Sequence, residues 1–234
     1  LRFHTQTAGC ALTAQQPENN IVRVAIQALA SVLGGTQSLH TNSMDEALAL
    51  PSDKAVLIAL RTQQIIAEET GVTNTVDPLG GSYYIESLTN LMEKETYNYF
   101  EKIEKEGGVI PALENGFFQR EIATASFRYQ REIDTKKRTM VGVNKYQLDS
   151  KIEIPILKMD EDGERKQLAR LEKLRRERDN LKVESTLAVL EKAANGADNL
   201  VPHLIQAVKA YATLGETCNV LRKVFGEYKD PVVY

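Results

Sequence analysis

The sequence predicts an α/β fold over its first seventy residues and a mostly helical fold over the rest. Residues 1–7 alternate between two sides, as in a strand, and residues 17–33 carry apolar side chains at helical spacing. A second strand at 36–41 and a second helix at 43–71 follow. This order permits parallel pairing of the strands through a crossover helix. Because two strands cannot make a stable parallel sheet with both faces covered, we expect either more sheet supplied from elsewhere or a preceding part of the protein that holds them.

The first strand and the first helix each have a clear residue pattern. One side of the strand carries Leu1, Phe3, Thr5 and Thr7, and the other carries Arg2, His4 and Gln6. The helix is predicted to begin at Pro17, which suits a first helical turn, and to end at Gly34-Gly35. Its regularly spaced apolar residues are Val22, Ile26, Leu29 and Leu33.

The second helix is predicted over residues 43–71, with a break near Pro51. Its start carries the pattern S-x-x-E, with Ser43 at the cap and Glu46 three residues later. This pattern is typical of a capping box, in which the glutamate binds back to a backbone N–H. Local sequence therefore favours a structural role for Glu46, although a glutamate held in this way is also pre-oriented for binding.

The remainder of the chain is predicted to be mostly helical. The glycines, prolines and apolar periods divide it into a connector at 75–82, a helix at 83–108, two helical segments at 109–134 around Gly116, extended segments at 138–148 and 151–157, and three to four helices in the tail. A break is expected at 194–199, and T-x-x-E at 213–216 predicts a capping box for the last helix.

Two side-chain groups in this helical part have a structural interpretation. The basic run at 170–179 alternates with acidic residues, which predicts a solvated helix face rather than a partner-docking face. The aromatic residues of the long helix are expected to pack rather than to form a stacking platform. They are Tyr83, Tyr84, Tyr97, Tyr99 and Phe100.

The composition is that of an ordinary soluble protein. The 234 residues carry a formal net charge of −3, which argues against a general nucleic-acid surface. No apolar run is long enough to span a membrane, and the two cysteines, Cys10 and Cys218, favour a reducing compartment such as the cytoplasm. Because the chain begins in mid-pattern and without Met, we expect it to be part of something larger.

Both predicted strands end in polar residues. Gln6 lies at the end of the first strand, Asn42 follows the second, and Glu46 follows Asn42. In parallel βα folds the loops after the strands form the functional site, so we expect these side chains at one mouth. A carboxylate flanked by two amides suits a neutral polyhydroxylated ligand such as a ribose, because the carboxylate accepts from hydroxyls and the amides donate and accept. No nucleophile–base pair accompanies them, so no catalytic residue is predicted.

A metal site is not predicted. His4, His40 and Cys10 lie near the strands, but no close ligand pair such as H-x-x-x-H or C-x-x-C is present. We expect packed, hydrogen-bonded histidines.

Several longer blocks carry a resemblance that local patterns do not supply. H-T-Q-T-x-G at 4–9 and T-Q-S-L-H-T-N-x-x-D-E-A-L-A-L-P at 36–51 are long and specific. VDPLGGSYYIESLT at 76–89, VGVNKY at 141–146 and TLGETCNVLRKVFGEY at 213–228 follow in order. Together they resemble the cobalamin-dependent acyl-CoA mutases of the methylmalonyl-CoA mutase family across nearly the whole chain.

The resemblance implies a fold, a reaction and partners. Residues 1–75 would be the last βα units of a (β/α)8 TIM barrel that binds the acyl-CoA, as in a large, substrate-binding subunit, and residues 76–234 a mostly α-helical C-terminal extension. The family uses adenosylcobalamin, held with a separate cobalamin-binding domain or subunit, for the radical isomerisation of methylmalonyl-CoA to succinyl-CoA. The resemblance also implies that the chain contacts the remaining part of the barrel and belongs to a homo- or hetero-oligomer.

The resemblance also implies roles for individual residues. The adenosylcobalamin-binding residues would be Gln6, Gly9, Asn42, Glu46 and Ala49, with Glu46 on the ribose hydroxyls and with Gly9 and Ala49 leaving room for the corrin. Arg2, Gln37 and Ser38 would lie toward the CoA arm.

The chain departs from the family pattern in two respects. The acyl-binding residues of earlier strands and the cobalt-ligating D-x-H-x-x-G motif are absent, so we expect no activity from this chain alone. The resemblance leaves the substrate open among methylmalonyl-, ethylmalonyl-, isobutyryl- and hydroxyisobutyryl-CoA. It also leaves the location open between the cytoplasm and the mitochondrial matrix. The alternative is a non-catalytic helical interaction module of the same mutase system.

Overall fold

The computed structural model describes residues 2–149 and 154–230. The described residues divide into two units, one up to Lys158 and the other Met159–Asp230, and each is described by itself. In the described residues of the first unit the elements are β1 (His4–Gln6), α1 (Asn19–Leu33), β2 (Ser38–His40), α2 (Asp53–Glu69), α3 (Tyr83–Lys105), α4 (Val109–Glu114) and α5 (Phe117–Asp134). Those of the second unit are α6 (Glu161–Glu177), α7 (Asn180–Ala194), α8 (Leu200–Lys209) and α9 (Leu214–Phe225).

The two strands pair in parallel, as predicted. His4 lies opposite Ser38 and Gln6 opposite His40, so both strands end at the same edge of the sheet. Each strand has three residues and is shorter than its predicted segment. Leu1, which belongs to the predicted first strand, lies outside the described residues. These strands form a small sheet in a mostly helical α/β fold, and the implied (β/α)8 barrel stays a prediction.

Helix α1 connects the strands and buries an unexpected face. It ends at the predicted glycines, where Gly34 N–H bonds to Ala30 O and Gly35 adopts a φ of +78°. Val24 and Ala28 are buried, whereas two members of the predicted apolar stripe, Val22 at 60% and Ile26 at 65%, are exposed. Pro17 precedes the helix by two residues.

The predicted start of α2 is wrong. Residues 44–48 form turns and 49–50 a bend, and α2 begins only at Asp53, with Ser52 as its N-cap accepting from Ala55 N–H at 3.4 Å. Pro51 gives the reason, because it disfavours helical backbone in the preceding residue and so prevents a helix from running through. The predicted capping box at 43–46 is therefore not formed.

Helices α3, α4 and α5 follow the predicted division. Gly107 and Gly108 end α3 with φ values of +93° and +99°, and Gly116 separates α4 from α5 with a φ of +77°. The aromatic residues of α3 do not pack as predicted: Tyr83 is 95% exposed, and α3 contains no buried residue. The reason is that α4 alone makes a substantial contact with α3 in the described part of the first unit.

The two segments predicted to be extended do not form strands where they are described. Residues 138–148 fold into a turn, because Gly142 has a φ of +82° and the Asn144 side chain accepts from Met140 N–H at 2.8 Å. Residues 154–157 have no regular secondary structure, and 151–153 lie outside the described residues.

The second unit is helical, and its predicted breaks are confirmed. Helix α7 packs against α8 and α9 around Val183, Leu190 and Ala207. The break between α7 and α8 lies at 195–199, and Thr213 and Glu216 form the predicted capping box of α9. The part of the basic run that lies on α6 is mostly exposed, as expected for a solvated face. Arg178, just after α6, departs from this expectation, since its side chain is buried against Glu216 of α9. Among the described residues, no helix combines the length and apolar character that crossing a membrane requires.

Candidate functional site

Asn42 is the centre of a polar cluster where β1 and β2 end. Its Oδ1 accepts hydrogen bonds from Thr7 Oγ1 at 2.9 Å and from Gln6 Nε2 at 3.3 Å. Its backbone N–H donates to Thr7 Oγ1 at 2.9 Å. Since Asn42 is only 1% exposed, these bonds hold the loop after β2 against the end of β1.

Glu46 is held by the other side of the same amide. Asn42 Nδ2 donates to Glu46 Oε1 at 2.7 Å. The donors at Asn42 Oδ1 fix which way the amide faces, so its Nδ2 must face Glu46. Glu46 is exposed, and its Oε2 has no hydrogen-bond partner among the described residues. One carboxylate oxygen is thus anchored and the other is open to a ligand.

Gly9 lies against this carboxylate. A Cβ at Gly9 would be 2.5 Å from Glu46 Oε1 and 2.8 Å from Asn42 Nδ2, closer than nonbonded atoms approach. Gly9 begins a short 3-10 turn, Gly9–Ala11, in the loop after β1. A side chain at position 9 therefore does not fit while Glu46 and Asn42 keep these places.

A buried layer of polar side chains supports both loops. Asn20 of α1 joins them, since its Nδ2 donates to Thr13 O at 2.9 Å and to Met44 O at 2.8 Å. Asp45 is fully buried, and its Oδ2 accepts from Ser52 N–H at 2.9 Å. These bonds fix the buried side of the loop that carries Asn42 and Glu46.

The predicted site residues fall into two groups. Gln6, Gly9, Asn42 and Glu46 are brought together at the C-terminal ends of the strands. Ala49 lies in the same loop and is half-buried, with its N–H donating to Asp45 O at 3.0 Å. Nothing among the described contacts joins Ala49 to Glu46.

The predicted CoA-arm residues lie at the opposite, N-terminal ends of the strands. Gln37 Oε1 accepts from Phe3 N–H at 2.7 Å, and Ser38 Oγ is 2.7 Å from His4 Nδ1. Arg2 is exposed just before β1. The structure thus separates Arg2, Gln37 and Ser38 from the Asn42 cluster by the length of the strands.

The histidines are less packed than predicted. His4 is hydrogen-bonded as expected, but both His4 and His40 are exposed because no further element covers this face of the sheet within the described residues. Cys10 is a free, exposed thiol beside Gly9. The described residues contain no group of three or more His, Cys, Asp or Glu side chains that could hold a metal ion.

Sequence reasoning missed the supporting residues. The segment at 141–146, whose sequence shows no evident chemistry, is hydrogen-bonded to residues near the site. Val141 O accepts from Arg23 Nη2 at 2.7 Å, and Tyr146 O accepts from Gln16 Nε2 at 3.0 Å. Gly142 is the local sequence signal of this turn, because the turn needs a positive φ at this position and glycine adopts it easily. The contact partners lie more than a hundred residues away, which no local pattern reveals.

The cluster has the chemistry of a hydroxyl-binding site. An open carboxylate oxygen accepts from a ligand hydroxyl, and Gln6, which is exposed, adds an amide that donates and accepts. The open oxygen of Glu46 and this amide are the groups that a ligand with neighbouring hydroxyls would need. The geometry supports binding rather than covalent catalysis.

The chain is similar to known proteins over nearly its whole length. The sequence profile of the family described as Methylmalonyl-CoA mutase matches residues 1–227. The chain is 46% identical over 230 residues to the methylmalonyl-CoA mutase of Rhizobium meliloti (strain 1021), covering 97% of this chain and 32% of that protein. It is 47% identical over 232 residues to the methylmalonyl-CoA mutase of Escherichia coli (strain K12), covering 99% of this chain and 32% of that protein.

A third relative carries a different substrate in its name. The chain is 43% identical over 236 residues to the 2-hydroxyisobutanoyl-CoA mutase large subunit of Aquincola tertiaricarbonis, covering 100% of this chain and 42% of that protein. The chain therefore spans less than half the length of these curated relatives.

Proposed function

Since the chain belongs to the methylmalonyl-CoA mutase family, we propose that it forms part of an acyl-CoA mutase and supplies the ribose-binding part of an adenosylcobalamin site. The observation that carries this proposal is the Asn42–Glu46 pair beside Gly9, at the common end of two parallel strands. An anchored carboxylate with one open oxygen is suited to a pair of ribose hydroxyls.

The residues of this chain bind and orient in the proposed mechanism. Glu46 Oε2 accepts from a ribose hydroxyl, while Asn42 keeps the carboxylate in place and Gln6 adds an amide at the edge of the pocket. Adenosylcobalamin supplies the radical chemistry of the carbon-skeleton rearrangement when it is bound. This division of labour agrees with the lack of a nucleophile–base pair in the cluster.

The substrate and the partners are part of the same proposal. Arg2, Gln37 and Ser38 lie at the other end of the strands, where an extended CoA arm that runs along them would arrive. The names of the relatives support methylmalonyl-CoA or 2-hydroxyisobutanoyl-CoA as the acyl-CoA. The words "large subunit" in one name support a separate partner subunit, which we propose carries the cobalamin.

The architecture and the location are proposed on the same basis. Residues 1–75 would be the last βα units of the substrate-binding barrel, and the helices after them its extension. The mitochondrial relatives of mouse and human support a matrix location in a eukaryote, and the cytoplasm is proposed otherwise.

The experiment uses the intact protein that contains this chain, together with its cobalamin-binding domain or subunit. We expect it to isomerise an acyl-CoA, and we expect Glu46→Gln to weaken adenosylcobalamin affinity about tenfold, as for loss of a hydrogen bond to a charged group. Affinity is measured by absorbance titration and isomerisation by chromatography of the thioesters.

The matched control is Glu69→Gln, which makes the same change at an exposed position at the end of α2. It should leave affinity and turnover unchanged. A wild-type protein that neither binds adenosylcobalamin nor isomerises any of the four acyl-CoA thioesters would contradict the proposal, as would unchanged affinity in Glu46→Gln.

A non-catalytic interaction module is the second candidate, because α3 exposes a set of large apolar side chains. They are Tyr83, Tyr84, Leu91, Met92, Tyr97 and Phe100. This candidate predicts binding of a cobalamin-binding subunit on size-exclusion chromatography with no turnover in the assembled complex.

A further inference from the structure

The position of Gly9 relative to Glu46 has a consequence for the proposed cofactor site. Two groups would lie within 3 Å of a Cβ at Gly9: Glu46 Oε1 at 2.5 Å and Asn42 Nδ2 at 2.8 Å. The φ of Gly9 lies outside the left-handed region that only glycine adopts easily. Space, and not backbone conformation, is therefore what this position requires.

The two neighbouring groups differ in how easily they can move. Asn42 is buried and is fixed by Thr7 and Gln6 through its Oδ1 and by Thr7 through its backbone N–H. The Glu46 side chain is exposed and has a single hydrogen bond among the described residues. An added methyl group would therefore displace the Glu46 carboxylate and break its bond to Asn42, while the fold around Asn42 is kept.

We infer that Gly9 is a positioning residue, which sets the place of the Glu46 carboxylate by leaving room for it beside Asn42. The inference rests on the proposed function, in which Glu46 binds the ribose of adenosylcobalamin. It differs from the expectation that Gly9 makes room for the corrin. If Gly9 positions Glu46, a substitution at Gly9 weakens the binding only of ligands that carry the adenosyl group. If Gly9 makes room for the corrin, the substitution weakens the binding of every cobalamin.

The experiment compares two probes on the intact protein with its cobalamin-binding domain or subunit. Adenosylcobalamin carries the deoxyadenosyl ribose, and hydroxocobalamin has the same corrin without it. We expect Gly9→Ala to weaken adenosylcobalamin binding about tenfold, the same order as Glu46→Gln, and to leave hydroxocobalamin binding unchanged. Equal weakening for both probes, or no weakening for either, would overturn the inference.

A double-mutant cycle tests the contact itself. Aspartate is one methylene shorter than glutamate, so Glu46→Asp withdraws the carboxylate from the space beside residue 9. The tenfold effect of Gly9→Ala should then be largely lost in the Glu46→Asp background, and an unchanged effect would overturn the inference.

Controls separate this inference from the proposed function. Gly215→Ala makes the same chemical change in α9, where a Cβ meets no atom within 4 Å, and it should bind both probes like wild type. A wild-type protein that bound neither probe would overturn the proposed function and the assigned role of Gly9 together. Selective failure of the Gly9→Ala expectation would overturn the positioning role alone.

Discussion

Two glutamates of this chain follow the same local pattern and have different environments. Ser43 and Glu46 form one S/T-x-x-E pattern, and Thr213 and Glu216 form the other. At the second site the capping box exists: Glu216 Oε2 accepts from Thr213 N–H at 2.7 Å, and Thr213 Oγ1 accepts from Glu216 N–H at 3.3 Å. At the first site α2 begins only at Asp53, and the Glu46 carboxylate is bound by the Asn42 side chain instead.

The difference lies in the tertiary partners of the two carboxylates. Arg178 binds both oxygens of Glu216, with side chains only 7% and 25% exposed, and it also donates to Tyr211 O at 2.9 Å. Glu46 has no charged partner within the described residues and keeps one oxygen open. A glutamate with both carboxylate oxygens hydrogen-bonded stabilises the fold. An exposed glutamate with only one oxygen hydrogen-bonded is available to a ligand.

The largest expected effect on stability comes from removing Arg178, the cation that binds Glu216. Arg178→Ala should lower the free energy of unfolding of the second unit by about 2–3 kcal/mol, because it leaves a mostly buried carboxylate without its cation. The value is below that of a fully buried pair because Glu216 keeps part of its surface in water. Urea unfolding of the intact protein, followed by hydrogen exchange in α9, measures it.

Arg176→Ala is the control for this experiment. Arg176 is 68% exposed and pairs with Glu177 at 3.6 Å, so its removal should change the free energy of unfolding by less than about 0.5 kcal/mol. Equal effects of the two substitutions would show that the Arg178–Glu216 pair is no more than a surface ion pair.

The same pair predicts a pH dependence of stability. The hydrogen bonds from Arg178, supported by those from Thr213, lower the pKa of Glu216 from 4.5 to about 2. Because the folded-state pKa is below the unfolded one, the pair stabilises the fold fully above about pH 4.5, and this contribution is lost as the pH falls toward 2. Its size is about 2 kcal/mol after allowance for the exposed part of Glu216.

Comparison with Glu216→Gln isolates this contribution, since glutamine does not titrate. The stability difference between wild type and Glu216→Gln should shrink when denaturant unfolding is measured at pH 3 instead of pH 7. A difference that is constant between these two pH values would contradict the lowered pKa.

Several helix boundaries could be predicted from sequence, because glycines and one helix cap decide them. Glycines ended α1, α3 and α4 at the expected places, and the box at Thr213 formed because no proline follows it within α9. The exposed aromatic side chains of α3 could not be predicted, because burial depends on which elements reach a helix and not on its own periodicity. Residues 138–148 were mispredicted because the turn depends on the side chain of Asn144.

The candidate site could be predicted only in its outline. The parallel order of the strands placed Gln6 and Asn42 together, and the resemblance to the family added Gly9 and Ala49. Asn42, four residues away, orients Glu46, and the tertiary contacts of Thr7 and Asn20 hold the loop that carries both residues. Local sequence instead assigned Glu46 to a helix cap, because the pattern S-x-x-E is the same in both environments.

The smallest expected effects test this correction directly. Ser52→Ala should lower the free energy of unfolding by about 1 kcal/mol, because Ser52 is the N-cap of α2 and its side chain accepts from Ala55 N–H. Glu46→Ala should change it by less than about 0.5 kcal/mol, since this exposed side chain caps no helix. Thermal and urea unfolding of the intact protein without cobalamin measure both. The reverse order, with Glu46→Ala the more destabilising, would mean that Glu46 stabilises the start of α2 after all, and its loss of cofactor affinity would then have to be attributed to folding.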